Sequence, residues 1–288
     1  MRIAQIAPPA ERVASYLTEE LLRLGHDATL FANGDPARSL ERVRSHAHEF
    51  DVLHFHHLDA PHFPPHFPLL NGLANRTLTT LHGRPDCPGL APLLHEFRNM
   101  PLAAVSHSQR AALPAANWLA TVHHGLPAEI CPLNPVAPRG AGRYLAFLGR
   151  EAPEDGLERA RQIAQLGGLR LRVAGEVGES AKPAYLGNAS ALLYPIERPE
   201  PFGLAMIEAM SCGTPVIGWR RGAVPEVIDA GVTGFVVDSV EQAVAALPAA
   251  LRLDRTRVRE RFEQRFSARR MAHEYLALYR SIGRRAVL

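Results

Sequence analysis

The chain has 288 residues, 47% of them hydrophobic and 21% charged, with a formal net charge of +3. This balance is that of an ordinary globular protein and excludes disordered, collagen-like and disulfide-stapled chains. The basic total of 32 comprises 31 arginines and the single lysine Lys182, so chemistry that needs a lysine has one candidate.

Six short apolar runs, at 2–7, 28–32, 52–55, 78–81, 102–105 and 119–122, predict strands in the first half. They show no polar alternation, as expected of a parallel sheet covered on both faces. Between the first two, Val13, Leu17, Leu21 and Leu24 mark one helical face that Gly25 ends as a left-handed cap, giving a βαβ unit. A Pro- and Gly-rich stretch, 134–142, reads as a linker. Five further runs follow at 144–148, 169–173, 191–194, 215–218 and 234–237. The last segment, 251–288, holds eleven arginines against four acids and predicts a basic C-terminal helix. A solvated face with intrahelical ion pairs is favoured over contact with an anionic membrane, which stays open as a peripheral partner. Nucleic acid is not expected, because neither zinc-ligand spacing nor an RNP-type aromatic pattern is present.

The expected fold is α/β, with two tandem doubly wound parallel-sheet, Rossmann-like domains facing a cleft. Residues 1–138 form the first domain and 139–268 the second; 269–288 form a helix packing back on the first. Ligands are expected outside the carboxyl ends of strands. Those positions hold His56, His57, His82, His107, His123 and His124 in the first half, then Gly149, Arg150, Gly175, Glu176 and Glu197. The cysteines Cys87, Cys131 and Cys212 form no disulfide framework or CxxC metal site, and a reducing cytoplasm fits them best. The start lacks a basic segment followed by an apolar one, and no apolar run approaches the ~20 residues that span a bilayer, so secretion is not expected.

The most specific stretch is 200–217, Glu-Pro-Phe-Gly-Leu-Ala-Met-Ile-Glu followed by Ala-Met-Ser-Cys-Gly-Thr-Pro-Val-Ile. It reads as a loop carrying Glu200, a helix opening near Gly203, and Glu208 on that helix. Amides of Phe202, Gly203 and Leu204 at a helix start suit an anion. Carboxylates suit vicinal hydroxyls, so the pattern points to a ligand with both sugar hydroxyls and phosphates.

This passage resembles the Glu-x7-Glu signature of retaining glycosyltransferases of family 4, which have the GT-B fold. The strand 146–150, the Gly156-Leu-Glu turn, Gly222-Ala-Val-Pro-Glu-Val-Ile and Gly231-Val-Thr-Gly-Phe-Val are also similar to that family. So are the strand ends Leu81-His-Gly and Val105-Ser-His-Ser. The resemblance implies that Glu208 binds the nucleotide ribose and Glu200 a hydroxyl of the donor sugar. Phe202, Gly203 and Leu204 give backbone contacts, Arg150 neutralises the diphosphate, and His82 faces the donor sugar. Gly149 joins the donor site; Glu226 fits equally an acid favoured by a first helical turn. The first domain becomes the acceptor side, where His56, His107 and His124 are candidates to bond sugar hydroxyls.

The histidine-rich segment 54–66 has only Asp59 as a nearby carboxylate and forms no ligand set of recognised spacing, so no metal is expected. No cofactor is expected beyond a nucleotide diphosphate sugar as substrate. The chain departs from the family in three places and reads as shortened. Ala7-Pro-Pro-Ala runs straight into Glu11 without the usual glycine-rich loop, and the stretch before Gly175-Glu176 lacks a helix and strand. Asp155 stands where Lys is common, and Lys182 lies away from the phosphate motifs in sequence, leaving Arg150 as the main cation. The expected activity is transfer of a hexose to an unknown hydroxyl acceptor with retention. The alternative is a catalytically weak or inactive nucleotide-sugar-binding protein. A nicotinamide dehydrogenase is excluded by the absence of G-x-G-x-x-G after either first strand.

Overall fold

The computed structural model describes residues 1–8, 11–32, 41, 43–57, 67, 71–136, 143–149, 153–175, 178 and 180–285. The chain divides into two compact units, 1–125 with 268–288, and 126–267.

The first unit contains β1 (Arg2–Ile6), β2 (Asp27–Phe31), β3 (Val52–His57), β4 (Thr77–Leu81), β5 (Leu102–Ala104) and β6 (Trp118–Thr121). They form one parallel sheet in the order β2-β1-β3-β4-β5-β6. Each coincides with a predicted run, and β4 is buried at every position, because helices cover both faces of such a sheet. Helix α1 (Arg12–Arg23) buries Val13, Leu17 and Leu21; Glu11 caps it by accepting from Val13 N at 2.8 Å, and Gly25 follows at φ 80°. Two shorter helices, α2 (Leu90–Glu96) and α3 (His107–Ala112), follow β4 and β5. His56 and His57 lie inside β3 rather than beyond its end.

The second unit contains β7 (Tyr144–Leu148), β8 (Arg170–Ala174), β9 (Ala191–Tyr194), β10 (Val216–Trp219) and β11 (Gly234–Val237). This sheet is also parallel, in the order β11-β10-β9-β7-β8. Its helices are α4 (Leu157–Leu166), α5 (Lys182–Gly187), α6 (Leu204–Ser211), α7 (Val224–Val227), α8 (Val240–Ala250) and α9 (Arg255–Phe266). Leu145, Phe147, Leu157, Ile163, Leu193 and Ile217 form its core. β8 differs from the expected doubly buried strand because it is an edge: Arg170 and Arg172 point outward, and the Arg172 guanidinium lies 4.6 Å from the Tyr144 ring centroid.

The basic tail is two helices, α9 and α10 (Ala268–Arg285), that meet at Ser267. α10 belongs to the first unit and packs on α1, burying Met271, Tyr275, Tyr279 and Ile282. The intrahelical pairs exist, Arg259–Glu263 and Arg270–Glu274. The face is not simply solvated, however. Arg255 is 3% exposed and donates to the carbonyls of Asn134, Gly187 and Ala189 and to the Thr214 hydroxyl. Arg259 holds the carbonyls of Ala128, Cys131 and Ser211. These bonds, with Leu126 N on Phe266 O at 2.9 Å, draw 126–136 into the second unit, so the division falls at residue 125 rather than 138. Among the described residues, no helix is long and apolar enough to cross a membrane.

In each sheet the chain leaves a first strand toward one edge and returns on the other side. That leaves a topological switch point between β1 and β3, and another between β7 and β9. Such points are where ligands meet the carboxyl ends of parallel strands.

Candidate functional site

At the switch point of the second unit, Tyr194 ends β9 and its hydroxyl donates to Glu200 Oε2. Burial pushes the Tyr194 hydroxyl well above its usual range, and the carboxylates of Glu200 and Asp155 push it further. Its proton therefore stays on the phenol and fixes Glu200. The Glu200 carbonyl accepts from Ala223 N at 3.3 Å, so both ends of the residue are held. Gly203 has φ 85°, and a Cβ there would stand 2.7 Å from the Tyr194 hydroxyl, so only glycine turns the chain into α6 at this point. Phe202 is buried with its ring edge-on to Phe266, which leaves only its backbone to meet a ligand. α6 starts at Leu204 without a side-chain cap, which favours an anion at its first-turn amides.

Glu208 lies one turn further along α6 with its side chain 4% exposed, and Lys182 Nζ stands 3.2 Å from its Oε1. The sequence separation of Lys182 from the phosphate motifs is therefore not a spatial one. α5 carries it to the helix of the signature.

Gly149 follows β7, and a Cβ on it would sit 3.0 Å from the Phe147 ring and 3.4 Å from Asp155 Cβ. Asp155 thus adjoins the end of β7 and acts on Tyr194, on the same side as Glu200. Glu226 is half-buried in the first turn of α7, where Arg265 holds its carbonyl. Arg150 lies outside the described residues, as does Glu176.

The first unit gathers neutral polar groups instead. His56 Nδ1 and His82 Nε2 are 2.8 Å apart, His56 Nε2 is 2.6 Å from Gln5 Oε1, and His82 Nδ1 is 3.5 Å from Glu11 Oε2. The His124 ring stacks on His82 at 5.0 Å, and Arg270 holds the carbonyls of His123 and His124. Three expected residues, His56, His82 and His124, therefore meet. His107 does not join them: it opens α3, is exposed, and packs edge-on to His123.

His54, the first of the histidine-rich segment, is fully buried. Its Nδ1 is 2.7 Å from the Tyr279 hydroxyl and its Nε2 2.8 Å from Thr80 Oγ1. Gln5 Nε2 donates to the same Tyr279 hydroxyl at 2.9 Å. With Gln5 so placed, His56 keeps its proton on Nε2 and accepts at Nδ1 from His82 Nε2–H. Burial lowers the pKa of His54, His56 and His124 well below the ordinary value, and neighbouring imidazoles lower them further. Burial also lowers that of His82, against the pull of Glu11. His62 and His66 lie outside the described residues.

Sequence reasoning missed Glu11, Gln5, Tyr194, Tyr275 and Tyr279. Gln5 left a signal, a polar residue inside an apolar strand. Tyr275 and Tyr279 left another, two aromatic hydroxyls one turn apart on one helix face.

Residues 141–267 match the family model described as glycosyl transferases group 1. The match covers most of the second unit. An N-acetyl-alpha-D-glucosaminyl L-malate synthase of Bacillus anthracis is 32% identical over 117 residues, 38% of this chain and 30% of that protein. A D-inositol 3-phosphate glycosyltransferase of Saccharomonospora viridis is 40% identical over 88 residues, 28% of this chain and 20% of that one. The matched region thus spans a third or less of these curated relatives.

Among solved structures, a glycosyltransferase of Rickettsia africae has a TM-score of 0.77 at 15% identity, each chain covered to 98%. A glycosyltransferase involved in avilamycin A biosynthesis has 0.73 at 20%, again with 98% of each chain covered. HepE of Anabaena, in complex with UDP, has 0.68 at 15%, with 98% of this chain and 100% of that one covered. These likenesses are of fold, and the fold is GT-B.

Proposed function

We propose that the protein moves a hexose from a nucleotide diphosphate sugar to a hydroxyl acceptor, with retention and without a metal. The observation that carries this reading is the pair of carboxylates around an uncapped helix start: Glu200 held by Tyr194, and Glu208 buried on α6. Glu208 takes the ribose hydroxyls, Glu200 a hydroxyl of the sugar, and the amides of Gly203 and Leu204 the diphosphate, with Gly149 beside it. Arg150 supplies the side-chain cation. The first unit takes the acceptor, with His82 among its candidate residues.

In this reaction the bond between the anomeric carbon and the diphosphate breaks, and the acceptor oxygen bonds that carbon on the same face. The acceptor proton goes to a diphosphate oxygen. Charge grows on the leaving diphosphate, so donors fixed before the reaction lower the barrier more than groups that must reorient. A relative solved with UDP supports a nucleoside diphosphate as the leaving group.

Asp155 favours a second reading, a nucleotide-sugar-binding protein with little or no turnover. An acid beside the end of β7, where the diphosphate is expected, exchanges attraction for repulsion. Incubation with UDP-, GDP- and ADP-sugars, measuring binding together with sugar release and transfer, separates the two. Release or transfer above buffer supports the enzyme. Micromolar binding with no release overturns it in favour of the binding protein, and no binding of any donor overturns both.

A further inference from the structure

We infer that Lys182, the only lysine of the chain, is the positioning residue that sets Glu208 to read the ribose of the donor nucleotide. The inference rests on the donor site proposed above. It adds to that site a residue that lies outside the signature motif and 26 positions before Glu208.

The placement of Lys182 is specific. It opens α5, at the end of a helix where a cation is opposed by the backbone dipole, so the helix itself gives no reason for a lysine there. α5 is fastened on three sides. The Tyr185 hydroxyl donates its one proton to the Arg172 carbonyl at 2.6 Å, with the Phe147 carbonyl 3.0 Å away, and accepts from Phe147 N. Thr214 Oγ1 donates to Leu186 O at 2.7 Å, and Arg255 holds the carbonyls of Gly187 and Ala189. These bonds fix the helix against β7, β8, the turn after α6 and the start of α9, and so fix where the ammonium ends.

What the ammonium does follows from the chemistry of a buried acid. A buried carboxylate serves a ligand only if a fixed partner holds its oxygens in one orientation. Two ribose hydroxyls that both donate need acceptors. The Lys182 ammonium, 3.2 Å from Oε1 and with its side chain 17% exposed, supplies a counter-charge and fixes the carboxylate in place. A carboxylate so held is an acceptor suited to a vicinal diol. Lys182 therefore acts through Glu208, and its removal weakens recognition of the ribose rather than of the phosphates.

The test uses the full chain and compares UDP, GDP and ADP with their 2′-deoxy counterparts by calorimetric titration. The wild type is expected to prefer the bound ribonucleotide over its deoxy form at least tenfold. Lys182→Met is expected to lower ribonucleotide affinity at least tenfold, shift deoxynucleotide affinity less than threefold and so close the gap. Lys182→Arg, which keeps the charge, retains part of the gap.

An unchanged preference in Lys182→Met, or equal losses for both nucleotides, overturns the inference and leaves the donor site standing. If the wild type binds none of the nucleotides, the donor site itself fails. A measurement on the unmutated protein guards against a variant that does not fold. An amine-reactive reagent has one side-chain target here, and saturating nucleoside diphosphate should slow labelling of Lys182 at least tenfold. Inorganic pyrophosphate alone should not. Labelling unaffected by the nucleotide, or slowed equally by pyrophosphate, overturns the inference.

Discussion

The two units share a doubly wound parallel sheet with a switch point, but they stabilise buried polar groups by opposite means. The first keeps His54, His56, His82 and His124 toward their neutral forms and links them through Gln5, Thr80, Tyr275 and Tyr279. The second keeps buried charges beside fixed partners: Glu208 with Lys182, and Arg255 with a ring of carbonyls. Neutral donors and acceptors can be satisfied by many combinations of residues, whereas a buried charge demands a counter-charge or several oriented dipoles in one place.

The largest effect expected from breaking this contrast is at Arg255. Arg255→Ala strands the carbonyls of Gly187 and Ala189, and should lower the stability of the second unit by on the order of 4 kcal/mol in urea unfolding followed by circular dichroism. A loss under about 1 kcal/mol would show that water replaces the guanidinium. Next comes Glu208→Ala, which removes two charge-assisted bonds to ribose worth about 1.5–3 kcal/mol each. Nucleoside diphosphate affinity should fall at least ~100-fold by calorimetry; unchanged affinity would move the ribose elsewhere.

The neutral unit is sensitive to acid. Its buried histidines have folded pKa values below the ordinary 6.5. Below that pH the unfolded chain binds protons that the folded chain refuses, so stability rises with pH through this window and is lost on acidification. Between pH 7 and pH 5 the loss should reach about 1.4 kcal/mol per pH unit for each histidine, and His54→Gln should remove one histidine's share of the slope. A flat profile would contradict the neutral network.

The smallest effect tests the departure from the family. Asp155→Lys should tighten binding of the nucleoside diphosphate about tenfold, or about 1.4 kcal/mol. An unchanged dissociation constant would show that Asp155 does not act on the diphosphate.

The sequence by itself determined the eleven strands of the two sheets, because unalternating apolar runs and helical periodicity are local signals. It also determined the Glu200 to Glu208 stretch, where loop, glycine turn and helix follow one another within nine residues. The tertiary structure alone decided which distant side chains share a charge or a hydrogen bond. Lys182 meets Glu208 because α5 is fastened to β7, β8 and α9, and the Tyr279 hydroxyl reaches His54 across 225 residues. The basic tail became two helices for the same reason. The carbonyls that Arg255 and Arg259 satisfy belong to loops far along the chain, and no periodicity within the tail records them.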